Sequence, residues 1–220
     1  MPPDEGKYYA TMLGTLVAAG YGNAMHRTAF FAVLGVAALL ALPALSETKP
    51  AAKQPHAKQP AVHAAAAQAA APQPERLGAA QSWTAYKAPE KNGQICYLVG
   101  EPAKSEPANV KRDPVHLLVT HNTADKTTGV VSFIAGYGFK DGSAAELDIG
   151  GKKFSLFTKD DTAWARDAAT DKAIVEAMVK GKQAVIKGSS TRGTATTDTY
   201  ALAGFVQVLG EIDKACKIKR

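Results

Sequence analysis

Apolar and polar positions alternate with a period of two through much of the chain after residue 81, and each alternating run ends at a turn residue. Ser82–Lys87 carries Trp83 and Tyr86, and Gln94–Val99 follows Asn92-Gly93. Val115–His121 starts after Pro114, and Val130–Ala135 starts after Gly129. Ala145–Ile149 and Lys152–Thr158 flank Gly150-Gly151, a pair suited to a two-residue hairpin loop. Gln183–Lys187 and Thr194–Thr199 bring the count to about eight strands. The period lengthens between them, where Ile174, Val175, Met178 and Val179 share one helical face. Thr170 is placed to cap that helix, Asp171 suits its first turn, and Gly181 ends it. Asp160–Ala169, which carries Trp164, reads as an earlier helical turn. A closing helix from about Ala201 to Cys216 has the stripe Leu202, Phe205, Leu209, Ile212, Cys216 at helical spacing. Most strands are joined by links too short for a parallel crossover. The pattern therefore predicts an α+β domain of mostly antiparallel β structure, sandwich-like, with about eight strands and two helices, the second C-terminal.

The first third of the chain follows no such pattern. Met25–Ser46 reads as a secretory signal peptide: His26 and Arg27, an apolar run from Ala29 to Leu42, the breaker Pro43, then Ala44-Leu45-Ser46 as a cleavage site. The run falls short of the ~20 apolar residues that a membrane span needs. Cleavage is the expectation, with an uncleaved inner-membrane anchor as the alternative. Without a Cys just after the run, lipidation there is excluded. Residues 1–24 begin acidic and add nothing a signal peptide needs, so they read as an over-extended start before Met25. Residues 47–80, with AKQP twice and an alanine tract from Ala64, read as a linker that forms no core of its own. Residues 81–220 are the expected domain. This order predicts a periplasmic or secreted protein with no membrane span once the signal is removed.

Export changes how charge and cysteine are read. The net charge of +6 divides as 0 over residues 1–46, +2 over 47–80 and +4 over 81–220, spread along the sequence. A basic chain suggests nucleic acid, but an exported one does not normally meet it; anionic envelope surfaces or no specific partner fit better. The two cysteines, Cys96 in an apolar strand and Cys216 on the helix stripe, both point to a core. Outside the cytosol they are expected to form a disulfide that staples the last helix to the first strands. Two separate free thiols are the alternative.

The order of features is also similar to a known family. Trp83, ICYLVGEP at 95–102, VVSFIAGYGFKDGS at 130–143, GGKKF at 150–154 and TYALAGFVQVLGEIDKAC at 199–216 together resemble the invasion-associated locus B family of alphaproteobacteria. The resemblance spans roughly residues 82–216, and its last segment is the most specific. It implies an exported, mostly β bacterial protein, in a family named for a role in host-cell invasion. It supplies no catalytic residues. Many relatives carry a Cys soon after the leading Trp and more in mid-domain. Here Tyr86 and Lys87 follow Trp83, so that fuller disulfide pattern does not transfer.

A search for chemistry returns little. HExxH, nucleophile-elbow and Walker patterns do not occur. Gly136-Tyr137-Gly138 starts like a dinucleotide fingerprint, but Gly142 comes one place late and between strands. His116 and His121 are five apart on one strand, so alternation sends them to opposite faces as surface or rim residues. With His56 and His63 isolated in the linker, no metal site is expected, and no other cofactor. Asp160-Asp161 reads as helix capping. Ser189–Gly193 reads as a hairpin turn, with anion binding as a lesser alternative. The best candidate binding loop is Tyr137, Phe139 and Lys140: two aromatics and a cation in a glycine-flanked connection. Against it, the small core needs its rings, and both aromatics folding inward is the favoured reading.

These readings predict a non-enzymatic exported binding or accessory protein whose partner is a protein or an envelope polymer. The alternative is a structural envelope factor held by its basic linker or by an uncleaved anchor. A hydrolase with an unrecognised site ranks last.

Overall fold

The computed structural model describes residues 73–220. The signal peptide, the over-extended start, most of the linker, and His56 and His63 lie outside the described residues.

Eleven strands and two helices make up the domain. In chain order they are β1 (Glu75–Ala80), β2 (Trp83–Glu90), β3 (Gly93–Gly100), β4 (Lys104–Glu106), β5 (His116–Asn122), β6 (Thr127–Ile134), β7 (Ala144–Ile149), β8 (Lys152–Lys159), β9 (Thr162–Trp164), α1 (Ala168–Lys180), β10 (Gln183–Ser189), β11 (Ala195–Ala201) and α2 (Phe205–Cys216). The strands form one antiparallel sheet in the order β1-β2-β3-β5-β6-β9-β8-β7-β10-β11-β4. Each of the eight runs seen in the sequence is a strand. The sheet adds β1, β4 and β9, so the folded part starts before Ser82 and the helical turn expected at Asp160–Ala169 is largely strand and turn.

Local chemistry explains the elements. Gly150 and Gly151, both at positive φ (61° and 87°), close the β7–β8 hairpin as a two-residue loop. Strands β7, β10 and β11 bury alternate residues, as strands with one covered face should. Helix α1 is capped by Asp167, whose carboxylate accepts from the Thr170 N–H, and not by Thr170 itself. Gly181 ends the helix as expected, its N–H donating to the Ala177 carbonyl. Helix α2 starts at Phe205 rather than Ala201, because Gly204 takes the left-handed conformation there. A Cβ at Gly204 would lie 2.6 Å from the Ala80 carbonyl oxygen, so no other residue lets the helix enter this close to β1.

The sheet bends until its flanks meet. β3 runs directly into β4, which pairs with β11 at the far edge of the strand order. The Trp83 indole N–H on β2 donates to the Ala201 carbonyl on β11 at 2.9 Å. Its ring lies edge-on to Phe205, with centroids 5.1 Å apart. Enclosed by the bent sheet and both helices is a core that includes Leu98, Leu117, Val131, Phe133, Leu147, Ile186, Tyr200 and Ile212. A smaller cluster of Ile95, Tyr97, Val99, Leu118 and Ile134 lies apart from it.

Cys96 on β3 and Cys216 at the end of α2 form a disulfide, with Cα atoms 6.0 Å apart and 120 positions between them in sequence. The Gln94 amide bridges the same junction, donating to the Ala215 carbonyl at 2.6 Å. The last helix is therefore fixed to the centre of the early strands, as the sequence suggests.

Candidate functional site

Three connections meet at one end of the sheet: the β4–β5 segment, the β6–β7 segment and the β10–β11 turn. Backbone hydrogen bonds stitch them together. Asp113 N–H donates to Gly136 O at 3.0 Å, Lys140 N–H to Ser189 O at 2.9 Å, and Thr191 N–H to Gly138 O at 2.9 Å. Phe139 forms an isolated antiparallel bridge with Ser190. Between the segments lies a cleft of about 430 Å³, lined by Lys111, Arg112, Tyr137, Ser190, Arg192 and Thr196 among others.

A buried ion pair lies at the wall of the cleft, through its lining residue Arg112. Arg112 meets Asp198 with both guanidinium nitrogens, one at 3.0 Å and the other closer, and their side chains are 8% and 0% exposed. Ser105 on β4 donates to the same carboxylate at 2.6 Å. A charge this deep is tolerable only with full pairing, and the planar fork of arginine matches the carboxylate. The guanidinium also lies over the Tyr137 ring, 5.8 Å from its centroid. The Tyr137 hydroxyl is 2.6 Å from Thr196 Oγ1, and burial pushes its pKa above the usual phenol value, against the effect of that hydrogen bond. Lys111 and Arg192 stand exposed at the rim. Chemically, the cleft offers one aromatic wall, several hydroxyls and two solvated cations.

The residues of the expected binding loop separate. Tyr137 is half-buried and lines the cleft, while Lys140 is exposed outside its lining. Phe139 is a core residue, 4% exposed, with Phe133 and Tyr137 rings 6.3 Å and 5.2 Å away. It cannot present its ring to a partner, which corrects the three-residue loop. The ring is drawn in because Gly188 leaves a slot: a Cβ there would be 2.7 Å from both Phe139 and the Tyr137 hydroxyl. The Ser189–Gly193 segment is a hairpin turn, as favoured, yet it contributes Ser190, Thr191 and Arg192 to the cleft.

Two other expectations change. His121 is fully buried rather than at the rim. Its Nδ1 accepts the Gly129 N–H at 2.9 Å, so Nε2 carries the proton and donates to Asp213 at 2.9 Å. Asp160 and Asp161 cap no helix; they form the β8–β9 turn, and their carbonyls accept the Phe139 and Ala135 N–H groups. Among the described residues, no group of three His, Cys, Asp or Glu is arranged to hold a metal ion.

Arg112 and Asp198 escaped the sequence reading because 86 positions separate them. One signal was present. Asp198 shares the inward face of its strand with Thr196 and Tyr200, where an unpaired carboxylate would be costly.

Compared with known proteins, the chain matches the family model described as Invasion associated locus B (IalB) protein over residues 83–213. Neither a curated protein nor a solved structure matches it.

Proposed function

The chain belongs to the invasion associated locus B family, and on that premise we propose that it is an exported, non-enzymatic accessory protein of the bacterial envelope that acts by binding another protein. The carrying observation is the end cleft, where an aromatic wall and two rim cations sit on loops braced by a buried ion pair. Loops fixed on a rigid scaffold are the usual carriers of recognition, and Tyr and Arg are enriched where binding energy concentrates. The lining joins hydroxyls and cations to one carboxylate, Asp113, a set better suited to docking an acidic or polar side chain than to splitting a bond. The Cys96–Cys216 bridge fits an oxidising compartment. No helix among the described residues is long and apolar enough to cross a membrane. The family name associates the protein with invasion, and the proposed binding is the contact through which it takes part.

Capture from solubilised envelope tests this reading. The protein and its Lys111→Glu/Arg192→Glu variant are immobilised in parallel. The reading expects a partner retained by the first and lost by the second, with retention surviving about 1 M salt, where the Debye length is only ~3 Å. Equal capture by both proteins rules out the cleft. Capture that vanishes with salt from both points instead to the basic linker.

A further inference from the structure

A groove of about 630 Å³ lies at the start of β10, where the link from α1 passes the β7–β8 hairpin. Its lining shares no residue with the end cleft, which lies beyond the other end of β10. Three lysines reach the groove from three backbone settings. Lys180 closes α1, Lys182 sits in the link, and Lys187 belongs to β10. On that strand Ala184 and Ile186 are buried in the core, so Val185 and Lys187 take the outer face. All three lysines are exposed.

The nearby carboxylates are committed elsewhere. Asp148, the acidic residue of the lining, accepts the Gly151 N–H at 2.8 Å. Glu146, the register neighbour of Lys187, pairs with Lys153 at 3.0 Å. Glu176, one turn before Lys180, pairs with Lys172. Among the described residues, none of the three groove lysines forms an ion pair. The negative end of a helix accounts for cations at Lys180 and Lys182, but not for Lys187 on a strand. Unmatched positive charge gathered in a concavity draws anions to it. On the hairpin side the groove is open to a ligand, since a Cβ at Gly150 or Gly151 would meet nothing within 4 Å.

The lining also selects among anions. Its described residues include ammonium groups and no guanidinium. Point charges of this kind serve phosphate, whereas a planar carboxylate is matched best by the arginine fork. They include no aromatic ring on which a base or a bare sugar face could stack. The volume falls within the ~300–1,000 Å³ of small-molecule sites. We propose that this groove is a second binding site, which takes a phosphate group borne by a sugar or a lipid headgroup, with Lys180, Lys182 and Lys187 as its counter-ions. The proposal does not depend on the end cleft.

Two probes test it on the full chain at physiological salt: glucose 1-phosphate by titration calorimetry, and vesicles of equimolar phosphatidylglycerol and phosphatidylcholine by co-sedimentation. The groove variant is Lys180→Gln/Lys182→Gln/Lys187→Gln. A control, Lys91→Gln/Lys214→Gln/Lys219→Gln, removes the same charge from exposed positions elsewhere. Both variants should melt with the wild type. Affinity for at least one probe should fall about tenfold in the groove variant and hold in the control. Loss confined to glucose 1-phosphate identifies a soluble phosphate as the source, and loss confined to vesicles a lipid headgroup. Failure of the wild type to bind either probe overturns the proposal, as does equal binding by all three proteins or an equal loss in both variants. Glucuronate bound as tightly as glucose 1-phosphate overturns the choice of phosphate.

Discussion

His121 is held neutral by its surroundings. Burial pushes its pKa below the ordinary 6.5, with Asp213 pulling in the opposite direction. The hydrogen bonds agree with that direction, since protonating Nδ1 would break its contact with the Gly129 N–H. The unfolded chain accepts a proton near pH 6.5 that the folded one refuses, so this stability is complete above that pH and declines as pH falls below it. Melting temperature should therefore drop between about pH 7 and pH 5. His121→Gln should flatten that drop in part, leaving the share from His116, which burial also shifts downward. A wild-type profile that stays level over this range contradicts the assignment. The Arg112–Asp198 pair makes a sharper demand. Asp198→Ala leaves a buried guanidinium unpaired and should cost about 3–5 kcal/mol in urea unfolding. Arg112→Met/Asp198→Leu removes both charges and should cost less than Asp198→Ala alone.

At the scale of elements, the disulfide decides how α2 behaves. Closing a loop across 120 positions is worth about 5 kcal/mol in the chain-entropy model. Reduction, or Cys96→Ala/Cys216→Ala, should lower the melting temperature and raise hydrogen exchange in Phe205–Cys216 before it rises in β3 and β5. Uniform exchange across helix and strands would mean that the bridge does not selectively pin the helix. The elements also show what the sequence makes legible. Strands with clear alternation and turn residues at both ends, such as β7 and β8 around Gly150-Gly151, could be read directly. β1 could not, because ERLGAA continues the composition of the linker and acquires its structure only by pairing with β2. β4 is three residues, KSE, held in part by the bond from Ser105 to Asp198. β9, TAW, follows the Asp160-Asp161 turn and precedes an alanine-rich helix start, so helical propensity masked it. Its place between β6 and β8 depends on long-range pairing that no local pattern encodes. The site divides in the same way. Tyr137 and the Ser190–Arg192 turn were visible as loop residues, whereas the tie between Arg112 and Asp198 exists only once β11 lies beside β4.

At the scale of the whole molecule, a disulfide-closed bent sheet carries at one end the cleft to which we assign binding. The net charge of +6 is spread along the chain, so on the proposed function it would add a general attraction to anionic surfaces, and selectivity would fall to the cleft. Affinity for the partner should therefore fall modestly with salt, and it should fall steeply with Tyr137→Ala, whose ring forms the cleft wall. Because the Tyr137 hydroxyl also bonds Thr196, its melting temperature must be checked alongside. The most direct measurement of the central claim is site-specific photo-crosslinking in living cells, with a photoreactive residue at Arg192 and a control at Lys172 on the exposed side of α1. If the cleft binds a protein partner, position 192 yields a discrete protein adduct in the envelope fraction, lost when Tyr137→Ala is added and absent from position 172. Adducts that are absent from 192, or equal from both positions, would contradict it.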